Sequence, residues 1–270
     1  MFYSNTPMTD AEILKYAPAV FGREKFAKRT ENYNLFNTYD IIKGMRAEGF
    51  EVAAAMQGGS RVDGAAPSNT RAHVVRFRAK DYFGDGGLNV GDCIPEIVLL
   101  NSHDGSTQFD ISAGVMRKVC TNGLMVEVCG SGMQEKVRHM GHSFDEVIAA
   151  ANSIGTKTAE LKDNILEMQS INLTPYQVRD FLHDSLELKY GEDWRRMNLE
   201  NPNALLEARR EEDFGNTLWN VFNRVQENML KGGVTVNRRM LRPITNIAEG
   251  ARLNRGLWNI ADNYRLQLAA

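Results

Sequence analysis

Three cations alternate along one short stretch: Arg76, Arg78 and Lys80, separated by Phe77 and Ala79. Alternate side chains of an extended chain fall on the same face, so this spacing predicts one row of positive heads. Like charges in a row repel and invite an anion or a carboxylate. Such a row is either a solvated outer face or a track for a polyanion. Tyr82 and Phe83 follow directly, and aromatic rings beside a cationic groove are what sequence-tolerant binding of single strands requires. Further cations sit at Lys118 and at Lys136 and Arg138 on later candidate strands. Arg238, Arg239 and Arg242 crowd the C-terminal segment, followed by Arg252 and Arg255. The nucleic-acid contacts expected from these patterns are Arg76, Arg78, Lys80, Tyr82, Lys118, Lys136, Arg138, Arg238, Arg239 and Arg242.

The histidines form the second constellation. Four of the five, His73, His103, His139 and His142, fall within residues 37–142, the stretch read below as the sheet domain, with Asp104 and Cys120 among them. His103, Asp104, His139 and His142 could make a divalent-metal set, although their spacing matches no zinc signature. The competing reading makes His103 and Asp104 a turn pair, with Asp104 accepting backbone N–H bonds. No cofactor is required, and a divalent metal stays open. Cys120 could act as a nucleophile, but at the end of an apolar strand it reads better as an inert buried thiol. Phosphate-loop, dinucleotide, nucleophile-elbow and H-E-x-x-H motifs are absent. The balance favours a non-enzymatic protein, and no catalytic residue is assigned.

The elements that must position these residues are legible. Glu96 to Leu100 is a short apolar run, followed by the polar turn Asn101-Ser102-His103-Asp104-Gly105-Ser106. Apolar runs resume at Phe109 and Val115, and Asn122-Gly123 is a strong hairpin cue before Leu124 to Val128. These runs predict an antiparallel meander, joined by strands at Phe50–Met56 and Ala72–Lys80. Thr9 and Asn37 are set to cap helices ahead of the sheet. Ser143 and Glu146 could cap a long helix with a heptad seam through Phe144, Leu161, Ile165 and Met168. Helices follow at Thr174-Pro175, at Asn201-Pro202, over Glu211–Lys231 with Phe214 on its inner face, and over Asn246–Leu268. Val234 to Pro243 reads as extended and basic. The expected architecture is α+β. Residues 1–36 form an N-terminal helix and connection, 37–142 an antiparallel sheet domain with flanking helices, and 143–270 a helical domain with a basic end.

Composition narrows the class. A 270-residue chain with 43% hydrophobic residues can build a sizeable core, and a net charge of -2 supplies no global attraction for polyanions. Residues 231–270 nevertheless carry seven Lys/Arg against two Asp/Glu. No apolar run approaches the roughly 18 residues of a membrane span. Three cysteines without a framework spacing, and no secretory apolar region, lead to an expectation of a soluble, cytoplasmic protein with reduced thiols.

The turn at Asn101–Ser106 and the run Gly114-Val115-Met116-Arg117-Lys118-Val119-Cys120-Thr121-Asn122-Gly123-Leu124 resemble a known family. Arg138-His139-Met140-Gly141-His142, Trp219 to Asn228 and Leu253-Asn254-Arg255-Gly256-Leu257-Trp258 fit it too. The chain is similar to the phage- and plasmid-encoded proteins grouped as the domain of unknown function nine-three-two. That resemblance covers most of the chain after Asn37 and implies a mobile-element setting in a bacterial host, with no activity to transfer. Residues and resemblance together lead to an expectation of a protein that binds nucleic acid, in the form of single-stranded DNA, or anneals it, with a homo-oligomer possible. The alternatives are an inhibitor that binds a host defence protein and, behind it, a metal-dependent enzyme acting on nucleic acid.

Overall fold

The computed structural model describes residues 2–3, 6–24, 37–59, 68–83, 93–107, 109–117, 123–126, 134–137, 158–197, 200–233, 235–236 and 239–268. The chain divides into two compact units. One contains the sheet and the helices before it; the other contains the helices from Ala159 to the end. The sequence-based boundary at 142/143 lies outside the described residues.

In the first unit, helix α1 spans Asp10–Tyr16. Thr9 and Glu12 cap it reciprocally: the Thr9 hydroxyl accepts from the Glu12 N–H, and the Glu12 carboxylate accepts from the Thr9 N–H. Pro18 prevents its continuation. Helix α2, Thr38–Ala47, is capped by Asn37, whose Oδ1 accepts from the N–H groups of Tyr39 and Asp40. It buries Ile41, Ile42 and Met45, and Gly49, at φ 88°, turns the chain into the sheet. Tyr39 and Arg46 of α2 both donate to the Asp10 carboxylate, at 2.6 and 2.8 Å, tying the two helices together.

The strands are β1 (Phe2–Tyr3), β2 (Phe50–Gln57), β3 (His73–Ala79), β4 (Cys93–Asn101), β5 (Phe109–Arg117), β6 (Gly123–Val126) and β7 (Gln134–Val137). They form one sheet in the order β1-β2-β3-β4-β5-β6, with β7 also paired to β5. The pairs from β1 through β5 are antiparallel, as the meander reading requires. Cross-strand register places Val75, Phe77, Ile97, Leu99, Ile111 and Ala113 on one face, all buried. α1 and α2 pack on β2, and the apolar alternation has its core partner. A one-residue bulge between Val52 and Ala54 adjusts β2 to β3.

In the second unit, helix α3 is described over Thr158–Ser170 and buries the seam residues Leu161, Ile165 and Met168. The proposed start of that helix, at 143–157, lies outside the described residues. Helix α4, Pro175–Tyr190, begins with a capping box between Thr174 and Gln177 and stops at Gly191. Helix α5, Leu218–Lys231, and helix α6, Ile247–Leu268, build the core. Phe222 stacks on Trp219 and meets Trp258 edge-on. A Cβ on Gly256 would overlap Leu188, so α6 crosses α4 at close range there.

Two helical expectations change. Residues after Pro202 form only a 3-10 turn, Pro202–Leu206. Helix α5 starts at Leu218, because Gly215 at φ 94° breaks the backbone after a 3-10 turn at Glu211–Asp213; Phe214 is consequently 62% exposed instead of inside.

Beyond α5 the chain makes a small hairpin, β8 (Thr235–Val236) and β9 (Arg239–Met240). Its base is held closely: Gly233 N–H donates to the Leu241 carbonyl at 2.8 Å, and Ile244 N–H to the Leu230 carbonyl at 2.9 Å. Gly232 sits at φ 62°, ψ -148°, a region almost restricted to glycine, and a Cβ there would overlap the Leu241 carbonyl. Gly232→Ala should therefore destabilise the chain by about 1–3 kcal/mol. Urea denaturation of the intact protein measures this, and an unchanged midpoint contradicts it.

Candidate functional site

The row of cations on β3 is not a binding face. Arg76 and Arg78 are 2% and 4% exposed, and between them stands Glu96 of β4, itself 1% exposed. Arg76 Nε donates to Glu96 Oε2 at 2.5 Å, while Arg78 Nη2 donates to Oε1 at 2.7 Å. Arg76 also reaches the Val115 carbonyl at 3.3 Å, and Arg78 lies over the Phe83 ring. The period-2 reading is right about direction and wrong about environment. The face opposite the apolar core is buried too, and it also carries Asp110 and Ser112 of β5. A run of charges that looked solvated is an internal ion triad, its guanidiniums already committed to a carboxylate. Arg76 and Arg78 are accordingly withdrawn as nucleic-acid contacts.

The other predicted contacts separate. Lys80 and Tyr82 lie on a 3-10 turn after β3; both are exposed, with Lys80 3.9 Å from Glu51. Lys136 lies on β7, opposite Asp110 in register. Arg239 lies on β9 and Arg242 is exposed just beyond it. Lys118, Arg138 and Arg238 lie outside the described residues. Arg252 is structural, pairing with Glu249 at 2.8 Å and donating to the Leu188 carbonyl.

The histidine reading changes as well. Asp104 Oδ1 accepts from Ser106 N–H at 2.9 Å, and Gly105 has φ 67°, so the turn-pair reading of that residue holds. His103 is fully buried and meets His73 edge-on at 5.2 Å. His73 Nδ1 faces the Arg71 carbonyl at 2.9 Å, which can only accept, so Nδ1 carries the proton. Its Nε2 then accepts from the Thr38 hydroxyl at 2.7 Å, and Thr38 in turn accepts from Asn101 Nδ2 at 2.9 Å. This chain fastens α2 to the ends of β3 and β4. Burial, with His103 beside it, pushes the His73 pKa down to about 3. His139, His142 and Cys120 lie outside the described residues. Among the described residues no group of three or more His, Cys, Asp or Glu side chains is placed to hold a metal.

Sequence reasoning missed the polar side of α5. Gln226, Glu227 and Asn228 are buried. Asn228 donates to the carbonyls of Leu205 and Glu207, and Arg210 grips Glu227 through two bonds of 2.6 and 2.7 Å. Burial raises the Glu227 pKa, but bonds from Arg210 and Lys231 outweigh it and leave the carboxyl below its usual range. These side chains strap the segment 202–213 onto α5. Arg209 joins them, bonding Asn228 and the Gly232 carbonyl, and so steadies the hairpin base. The polar letters within Trp219 to Asn228 were the available signal, since a solvated face needs no amides in such number.

Among the described residues, the hairpin presents an exposed cation close to an exposed apolar side chain. Thr235 and Arg242 are exposed, and Met240 is 69% exposed. From Lys231 to Ala248 the chain has four cations and no acidic residue. Lys231 is engaged with Glu227 at 3.0 Å, whereas Arg242 is exposed.

The model of the family described as Domain of unknown function (DUF932) matches residues 25–258. Two proteins of Escherichia coli (strain K12), UPF0380 protein YfjQ and UPF0380 protein YafZ, are each 31% identical over 268 residues, covering 97% of this chain and 93% of theirs. No solved structure matches the chain. No helix among the described residues is long and apolar enough to cross a membrane.

Two outcomes follow from the buried groups. Glu96→Gln leaves two buried guanidiniums without a counter-charge and should cost about 3–5 kcal/mol in urea unfolding; a cost under about 1 kcal/mol contradicts the internal triad. His73 is neutral in the folded chain down to about pH 3, whereas its unfolded value is 6.5. The unfolded state therefore gains a proton first as pH falls, and stability drops by about 1.4 kcal/mol per pH unit across that window. The unfolding free energy of His73→Gln should fall less steeply than that of the wild type between those limits, and parallel curves sink the assignment.

Proposed function

The chain belongs to the DUF932 family, and on that premise we propose that it binds nucleic acid through the cationic hairpin at 235–242, in the phage or plasmid setting that the resemblance implies. The observation carrying this reading is the hairpin itself: a short ribbon with an exposed Met240 and Arg242, Arg239 on its second strand, and no carboxylate in sequence from Lys231 to Ala248. Phosphate attraction is sequence-independent and needs cations that are not already neutralised. The arginines on β3 fail that condition; Arg242 is exposed and meets it. The pinned base at Gly232, Gly233 and Leu241 keeps the ribbon pre-organised, which lowers the entropic cost of binding.

A mobility-shift titration at low and moderate salt tests the reading. Micromolar protein should retard labelled oligonucleotides at low salt, and Arg239→Ala with Arg242→Ala should weaken retention and reduce the salt slope by about one unit per arginine. Absence of any shift at low salt overturns it and leaves the protein-binding alternative, for which recovery of a stoichiometric complex with a host defence protein is the measurement.

A further inference from the structure

We infer that the flank shared by α4 and α6 is a docking groove for a basic amphipathic helix of a partner protein. The two helices run antiparallel: Arg252 of α6 donates to the Leu188 carbonyl, Gly256 meets Leu188, and the Tyr264 hydroxyl donates to the Asp184 carboxylate at 3.2 Å. Beside this crossing lies a trough of about 610 Å³. Asp184, Glu187, Leu188 and Gly191 line it from one side, and Ile260, Asn263, Tyr264 and Gln267 from the other. Both sets follow the spacing i, i+3, i+4, i+7, which is one stripe along a helix, about 10 Å long. Two such stripes side by side leave a furrow into which the side chains of a third helix pack.

The chemistry of the lining selects the occupant. Leu188, Ile260 and Tyr264 are half-buried and make an apolar floor. The rim is acidic, with Asp184, Glu187 and Glu192 all exposed. Among the described residues no Lys or Arg pairs with these three carboxylates, and Asp184 accepts from Tyr264. Nearby cations are engaged elsewhere: Lys189 donates to the Met229 carbonyl, and Arg252 is paired with Glu249. The C-terminal end of α4, the negative end of its dipole, lies at the same trough. Carboxylates by themselves attract any cation; the paired apolar stripes are what ask for a helix. An apolar stripe flanked by Lys or Arg satisfies floor and rim together, in the helix-in-groove mode of recognition. A polyanion satisfies neither. None of the lining residues belongs to the hairpin, so the inference stands apart from the nucleic-acid reading.

Fluorescence anisotropy with the intact chain tests it, using three labelled peptides of about 20 residues, long enough to hold a helix. One carries a Leu stripe at i, i+3, i+4, i+7 flanked by Lys. The second keeps the Lys and has Ser in place of each Leu; the third keeps the Leu and has Glu in place of each Lys. The first should bind at micromolar concentration, with affinity falling as salt rises, and about tenfold more tightly than the other two. Glu187→Lys with Glu192→Lys should weaken that binding by about tenfold. Circular dichroism and the urea midpoint should be unchanged in this variant, since both side chains are exposed. Should it fail to fold, Glu187→Gln with Glu192→Gln is the milder pair and should weaken binding in the same direction. Equal binding of the Leu and Ser peptides reduces the groove to a patch of charge and overturns the inference, as does a variant that binds like the wild type. A dimer in light scattering that the lysine variant dissociates gives the groove to a second copy of the chain and overturns it too.

Discussion

The ion triad Arg76–Glu96–Arg78 is the constraint on which the sheet unit depends. Two guanidiniums share one carboxylate, each taking a different oxygen, in a layer almost without access to water. Desolvating three charges is expensive, and only close hydrogen-bonded geometry offsets it. That geometry exists because β3 and β4 lie in one register, with Arg76 opposite Val98. A slip of one residue would turn both arginines onto the apolar face and take Glu96 away from them. The triad therefore specifies strand pairing more than it adds net stability, and it explains why a sheet can be buried on both faces while carrying charge on one.

A second set of polar contacts performs the corresponding task between helix and sheet. Thr38, His73 and Asn101 come from α2, β3 and β4 and form a closed donor–acceptor chain ending on the Arg71 carbonyl. Each group satisfies another, so burying the imidazole costs little as long as it stays neutral. Gly22 is part of the same corner: a Cβ there would overlap the Asn69 carbonyl and crowd His103 Nδ1. The turn Asn101–Ser106 is accordingly architecture, with Ser102 and Thr107 exchanging hydrogen bonds across it.

In the helical unit, buried polar side chains again organise the chain. Asn228, Glu227 and Arg210 bind the irregular strap 202–213 to α5, and Arg209 continues the network to the carbonyl of Gly232. The hairpin that follows is thus held by glycines chosen for their backbone and by a side-chain network from a distant loop. Of its cations, Arg242 is exposed, whereas the arginines of β3 are buried against Glu96.

Local rules made much of this legible from the residues alone. The caps at Thr9, Asn37 and Thr174 and the apolar runs of β3 to β5 act within a few residues, and they are where the spacing places them. Family membership was legible for the same reason, since short motifs carry it. The sequence by itself determined which cations alternate along an extended segment and which stretch near the C-terminus is basic. Only the tertiary structure decided which of those cations meets solvent. Alternation states that Arg76 and Arg78 share a face; it does not state what covers that face, because Glu96 approaches from a strand twenty residues away. Environment is a non-local property, set by strand register and by the layer packed above, and it moved the candidate interface from the sheet to the hairpin.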